Sequence, residues 1–176
     1  MESDIIVEGF KNSLEMHGIK YTKRVGDGDS SVHKKLLLAK PYGNMVVEKI
    51  ECRNHLYRNF CSKLRELSNK TRSSSKNIAI PLSLRKVILS NIEKLTTFIK
   101  KATTHRIKED MLIVNKISLL KTDILNSPHH VFGDHTGCGS LPYVSCIPKE
   151  SEENFVPQMK ACGLYDDVVA CLYRRE

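Results

Sequence analysis

The sequence predicts an α/β fold with few strands and a large, mainly helical insertion. Three observations lead there. Ahead of Cys52 the chain reads helix, strand, acidic turn, helix, strand, the order of a parallel sheet with crossover helices. From Cys52 to Leu125 apolar residues instead recur at helical spacing over long stretches. With 176 residues, 40% of them hydrophobic, the chain can bury a sizeable core.

Residues 3–17 form the first predicted helix, with Ile6, Phe10 and Leu14 on one face and His17-Gly18 as its end. Tyr21 to Val25, rich in Tyr, Thr and Val, reads as a strand. The turn Gly26-Asp-Gly-Asp-Ser-Ser-Val32 follows, then a helix from Val32 to Ala39, a turn at Pro41-Tyr-Gly-Asn44, and a second strand over Met45 to Ile50. Leu56, Phe60, Leu64 and Leu67 mark an amphipathic helix, and Ser68 to Asn77 is a polar, basic loop. Leu84, Val87, Ile88, Ile92, Leu95 and Ile99 give a long helix with an apolar core face. Another helical pattern runs from Ile107 through Met111, Val114, Ile117 and Leu120 to Leu125, and Pro128 is expected to close it. After an acidic loop from Glu150, two short helices are expected over 155–162 and 164–173, with Cys162 and Cys171 as buried apolar residues.

The acidic turn is one place where chemistry can sit. Gly26 and Gly28 permit a sharp turn that exposes Asp27 and Asp29, and two such carboxylates can take Mg²⁺ or Mn²⁺, hard cations that prefer oxygen. The plainer reading is an Asp-Gly turn with Asp29 or Ser30 capping the next helix. A calcium loop is excluded, because that register needs Gly at Val32 and Glu at Leu38.

The second place is His129-His130-Val-Phe-Gly-Asp-His135-Thr-Gly-Cys138, with Cys146 beyond it. His135-x-x-Cys138 has a zinc-type spacing, and His130 with Cys146 would complete a tetrahedral N/S set for Zn²⁺. Glycines at 133, 137 and 139 let the backbone wrap an ion; loop histidines left in solvent are the alternative.

Charge points to an anionic partner. The net charge is +8 with a pI near 9.2, which makes nucleic acid the first candidate. Residues 49–76 hold eight Lys or Arg against Glu51 and Glu66, among them Lys49, Arg53, Arg58, Lys63 and Arg65. A phosphate backbone lying near a metal would meet this basic run first; a solvated helix face is the other reading. No apolar run reaches the roughly 18 to 20 residues of a membrane span. The start lacks the basic and apolar regions of a signal peptide, so an intracellular chain with reduced cysteines is expected. Walker loops, Gly-x-Gly-x-x-Gly and Gly-x-Ser-x-Gly are all missing.

Taken together, Gly-Asp-Gly-Asp-Ser-Ser-Val, then Val47-Glu-Lys-Ile-Glu-Cys-Arg-Asn-His-Leu, then His-Val-Phe-Gly-Asp-His-Thr-Gly-Cys, and the closing Val156-Pro-Gln-Met-Lys-Ala-Cys-Gly-Leu-Tyr closely resemble the Mutator-like transposase domain. The resemblance implies a DDE transposase with an RNase H-like core, in which three carboxylates hold two divalent cations for DNA strand cleavage and transfer. It places the second acid at Asp27, with Asp29 the lesser candidate, and matches Cys52 and His55 to a Cys-x-x-His motif that orders the core or sets His55 near the scissile phosphate.

The same resemblance divides the chain into a partial RNase H-like core over 1–55, a helical and His/Cys-rich insertion over 56–150, and helices over 151–176 leading back to the core. It implies DNA as partner, Mg²⁺ or Mn²⁺ as cofactor, self-association of the intact protein and a nuclear location; that no membrane is involved is expected from the lack of a long apolar run. Neither a strand bearing the first acid nor a helix bearing the last glutamate is matched, and Glu176 has no motif around it. An internal fragment, inactive by itself, is therefore expected, since one acid cannot hold two metals. A zinc-stabilised, non-enzymatic nucleic-acid-binding module is the alternative.

Overall fold

The structure, a computed structural model, describes residues 2–26, 30–138, 146 and 152–173. These form a mostly helical chain with one two-stranded parallel sheet, and they group into two compact units, Met1–Arg58 and Asn59–Glu176. No helix among the described residues is long and apolar enough to cross a membrane.

The first unit runs α1 (Glu2–His17), β1 (Lys23–Gly26), α2 (Ser30–Ala39) and β2 (Glu48–Glu51). The strands pair in parallel, Lys23 with Glu48 through Gly26 with Glu51, and α2 lies in the connection that such pairing requires. Val7, Val32, Leu36, Tyr42 and Val47 make the core, with Ile6, Phe10, Ala39 and Met45 packed against it. Of the face predicted for α1, Leu14 is 41% exposed while Ser13 is buried. The Ser13 hydroxyl lies 2.7 Å from the Tyr42 hydroxyl, and the Tyr21 N–H donates to that same tyrosine oxygen. A polar network thus displaces a leucine, because it satisfies the backbone where α1 gives way to the strand.

Helix α3 (Arg53–Asn69) carries the chain across the boundary between the units. Its Phe60, Leu64 and Leu67 are buried as predicted, whereas Leu56 is exposed. The second unit continues with α4 (Leu82–Lys108), α5 (Ile113–Val131), α6 (Val156–Cys162) and α7 (Leu164–Leu172). Leu84, Ile88, Ile92, Leu95, Phe98, Ile99 and Ala102 of α4 join Met159, Leu164 and Val168 among its buried residues. The polar loop after α3 is docked by one carboxylate: Asp167 accepts the N–H groups of Ser74 and Ser75 at 2.6 and 2.9 Å.

Two helical expectations are corrected. Ile107 belongs to the end of α4, the chain breaks at Glu109, and Ile107, Val114 and Ile117 are all exposed. Instead α5 buries Asp123 and Ser127, because Arg106 of α4 is buried too and takes Asp123 in a two-point ion pair at 2.7 and 3.1 Å. Pro128 does not close α5 but lies within it. The carbonyl of Ile124 would lose its helical donor there, and the Ser127 hydroxyl replaces that donor at 2.7 Å.

Candidate metal centre

The last turn of α5 and the loop after it are built to converge. The N–H of Phe132 still reaches the Pro128 carbonyl, and Gly133 then turns the chain at a φ of +88°. A Cβ at that position would collide with the Glu153 carbonyl, so only glycine permits the two segments to close up. The Phe155 N–H donates to the Phe132 carbonyl at 2.9 Å and fixes the returning chain. Asp134 clamps the loop itself. One carboxylate oxygen accepts the Thr136 hydroxyl and N–H at 2.6 and 3.2 Å, and the other lies 3.0 Å from Nδ1 of His129. Those bonds, the threonine hydroxyl first, outweigh burial and hold the Asp134 carboxyl down to about 2.

This scaffold brings together all four residues that the spacing singled out. Nδ1 of His130 and of His135 and Sγ of Cys138 and of Cys146 lie within 4.8 Å of one another. Nδ1 of His130 stands 3.1 Å from Sγ of Cys138 and 3.8 Å from Sγ of Cys146. For His135 the corresponding distances are 3.5 and 3.0 Å. A tetrahedral zinc ion, with bonds of about 2.3 Å to sulfur and 2.0 Å to nitrogen, has N···S edges of about 3.5 Å. The four observed edges bracket that value, so the set could hold a metal ion such as Zn²⁺.

The surroundings suit such an ion. Burial, then the neighbouring His135, lowers the pKa of His130 and favours the neutral imidazole that binds metal. Burial and Cys146 push the Cys138 thiol up to about 12, so a cation is what would make its thiolate accessible. His135 turns its other nitrogen, Nε2, to Glu152 at 3.2 Å, the carboxylate–histidine pairing that orients metal ligands. His130 packs its ring against Phe98 of α4 with centroids 5.2 Å apart. Four protein donors fill a tetrahedron and leave no position for substrate, which is the character of a structural site. Sequence reasoning missed Glu152 and the Asp134 clamp; Asp134-x-Thr136, an Asx-type turn, was the one available signal for the latter.

The other expected site residues are placed as follows. Asp27 and Asp29 lie outside the described residues. Gly26, just before Asp27, pairs with Glu51 at the carboxyl end of the sheet, and the Cys52 N–H extends the ladder to the Gly26 carbonyl at 2.8 Å. The Cys52 carbonyl then accepts the Leu56 N–H, and His55 is half-buried in the first turn of α3. Arg53, Arg58 and Arg65 are exposed. Lys49 pairs with Glu51 at 2.9 Å, with side chains only 14% and 16% exposed, and Lys63 donates to the Tyr173 carbonyl.

Comparison with known proteins gives a match over residues 1–146 to the family described as Mutator-like transposase, a span that ends on Cys146. No curated protein and no solved structure matches the chain.

Proposed function

Because the chain belongs to the Mutator-like transposase family, we propose that it carries part of a DNA strand-cleavage and strand-transfer domain and that a structural Zn²⁺ organises it. The observation that carries this reading is the closed set of His130, His135, Cys138 and Cys146 within the matched span. In the proposal zinc ties the end of α5 to the segment entering α6. The exposed Arg53, Arg58 and Arg65 meet DNA phosphates, and DNA places the protein in the nucleus.

Asp27 supplies one carboxylate of an RNase H-like centre, following a strand at the end where parallel sheets gather their ligands. Asp29 is the alternative, and His55 orders the core or donates to the scissile phosphate. When bound, Mg²⁺ or Mn²⁺ would activate the attacking oxygen and stabilise the leaving one. Two-ion chemistry needs further carboxylates, so this chain alone is proposed not to cut DNA.

Fluorescence anisotropy with a labelled DNA duplex tests the reading. Affinity should fall with rising salt, fall again when a chelator strips zinc, and recover with Zn²⁺ but not with Mg²⁺. Binding indifferent to both treatments would refute it.

The completeness of the four-ligand set also favours a second reading, a zinc-stabilised nucleic-acid module with no ion at the acidic turn. The two part on Asp27. Paramagnetic broadening of nearby amide signals by Mn²⁺, lost in Asp27→Asn, supports the transposase centre, and equal spectra for both proteins support the module.

A further inference from the structure

We propose that Arg24 on β1 is a contact for a DNA phosphodiester at the carboxyl end of the two-stranded sheet. The inference deepens the DNA-binding reading above and rests on it. Side chains two apart on a strand share a face, and in parallel pairing they share it with their partners. Arg24 and Gly26 therefore lie on one face with Lys49 and Glu51. Gly26 has no side chain, and the Arg24 guanidinium lies flat in the space left: its Nη1, Cζ and Nη2 would be 3.0, 3.2 and 3.3 Å from a Cβ at that position.

Glu51 is engaged with Lys49 at 2.9 Å. Nη1 of Arg24 is shut off from water and meets no hydrogen-bond acceptor among the described residues. A guanidinium stays charged at any ordinary pH, and a donor withdrawn from water without a partner is costly. Arg24 as a residue is half-buried, so part of it reaches solvent. A phosphodiester matches that planar fork in charge and shape. Ligands of parallel sheets bind beyond the carboxyl ends of the strands, the end that Gly26 and Glu51 occupy.

The test measures affinity for a labelled DNA duplex across a sodium chloride series, for the wild-type chain, Arg24→Gln and Arg24→Lys. Arg24→Gln should bind several-fold more weakly, with a log–log salt slope shallower by about 0.9, the loss of one phosphate contact. Arg24→Lys should keep the slope. Should Arg24→Gln not fold, by circular dichroism, Gly26→Ala carries the test: it keeps every charge but displaces the guanidinium, and should weaken binding. Affinity and slope unchanged in Arg24→Gln or, in its stead, in Gly26→Ala would overturn the inference and leave the DNA reading intact. A wild-type chain that shows no salt-dependent binding overturns that reading itself. Inorganic phosphate is the second probe: its binding by wild type and not by Arg24→Gln, with DNA affinity unchanged, would assign the site to a free anion and overturn the proposal.

Discussion

At the residue scale, the candidate metal centre depends on the groups that hold its four His and Cys side chains as much as on those side chains. Glu152 faces Nε2 of His135, leaving Nδ1 for the cluster. Loss of such partners costs about 10- to 100-fold in metal affinity, and because Glu152 is partly exposed the lower end is expected for Glu152→Gln. Competition against a chromophoric zinc chelator reads that change. The four clustered side chains were legible as a group in the sequence because residue type and spacing alone suggest them. Glu152 was not, since an acidic loop gives no sign of which carboxylate will face a histidine. A pH dependence follows for the metal-free protein. Burial lowers the His130 pKa from its ordinary value of 6.5, so below that value the folded chain binds fewer protons than the unfolded chain. His130 is then neutral to stability above the ordinary value and destabilising as pH falls beneath it. Chelator-treated protein should unfold at lower urea near about pH 5.5 than near about pH 7.5. An equal midpoint at both would contradict the burial argument.

At the scale of elements, α4 and α5 show where helical periodicity informs and where it misleads. The apolar face of α4 was readable because Leu84, Ile88, Ile92, Leu95 and Ile99 all point inward. On α5 the isoleucine and valine of the first turns face outward, and the buried positions include Asp123 and Ser127. A carboxylate inside a helix pair is unreadable until its arginine is known, and Arg106 lies 17 residues earlier. The Asp123 and Glu109 hydrogen bonds raise the Arg106 pKa further despite burial, so its charge is fixed. Removing one partner of such a buried pair leaves the other uncompensated, at about 3–5 kcal/mol. Asp123→Ala should show a loss of that order in urea denaturation, and a loss well under about 1 kcal/mol would show that the pair is solvated. Ser127→Ala tests the repair around Pro128. It orphans the Ile124 carbonyl and should cost about 1–3 kcal/mol.

At the scale of the whole molecule, the coarse architecture was legible. A short strand, a crossover helix and a second strand permit little besides a parallel pair, and the order of helices after Cys52 followed from spacing. Helix ends were less so, since Pro128 is normally a stop and its tolerance here depends on a neighbouring hydroxyl. The family assignment suggests DNA as a partner, and the structure adds a cluster of two imidazoles and two thiols whose N···S separations, 3.0 to 3.8 Å, bracket the edge of one tetrahedral ion. Native mass spectrometry of the chain, purified without chelator, weighs that cluster directly. One Zn²⁺ per chain in the wild type, and none in the His135→Ala, Cys138→Ala double variant, is the predicted result; a zinc-free wild type, or zinc retained by the double variant, would contradict it.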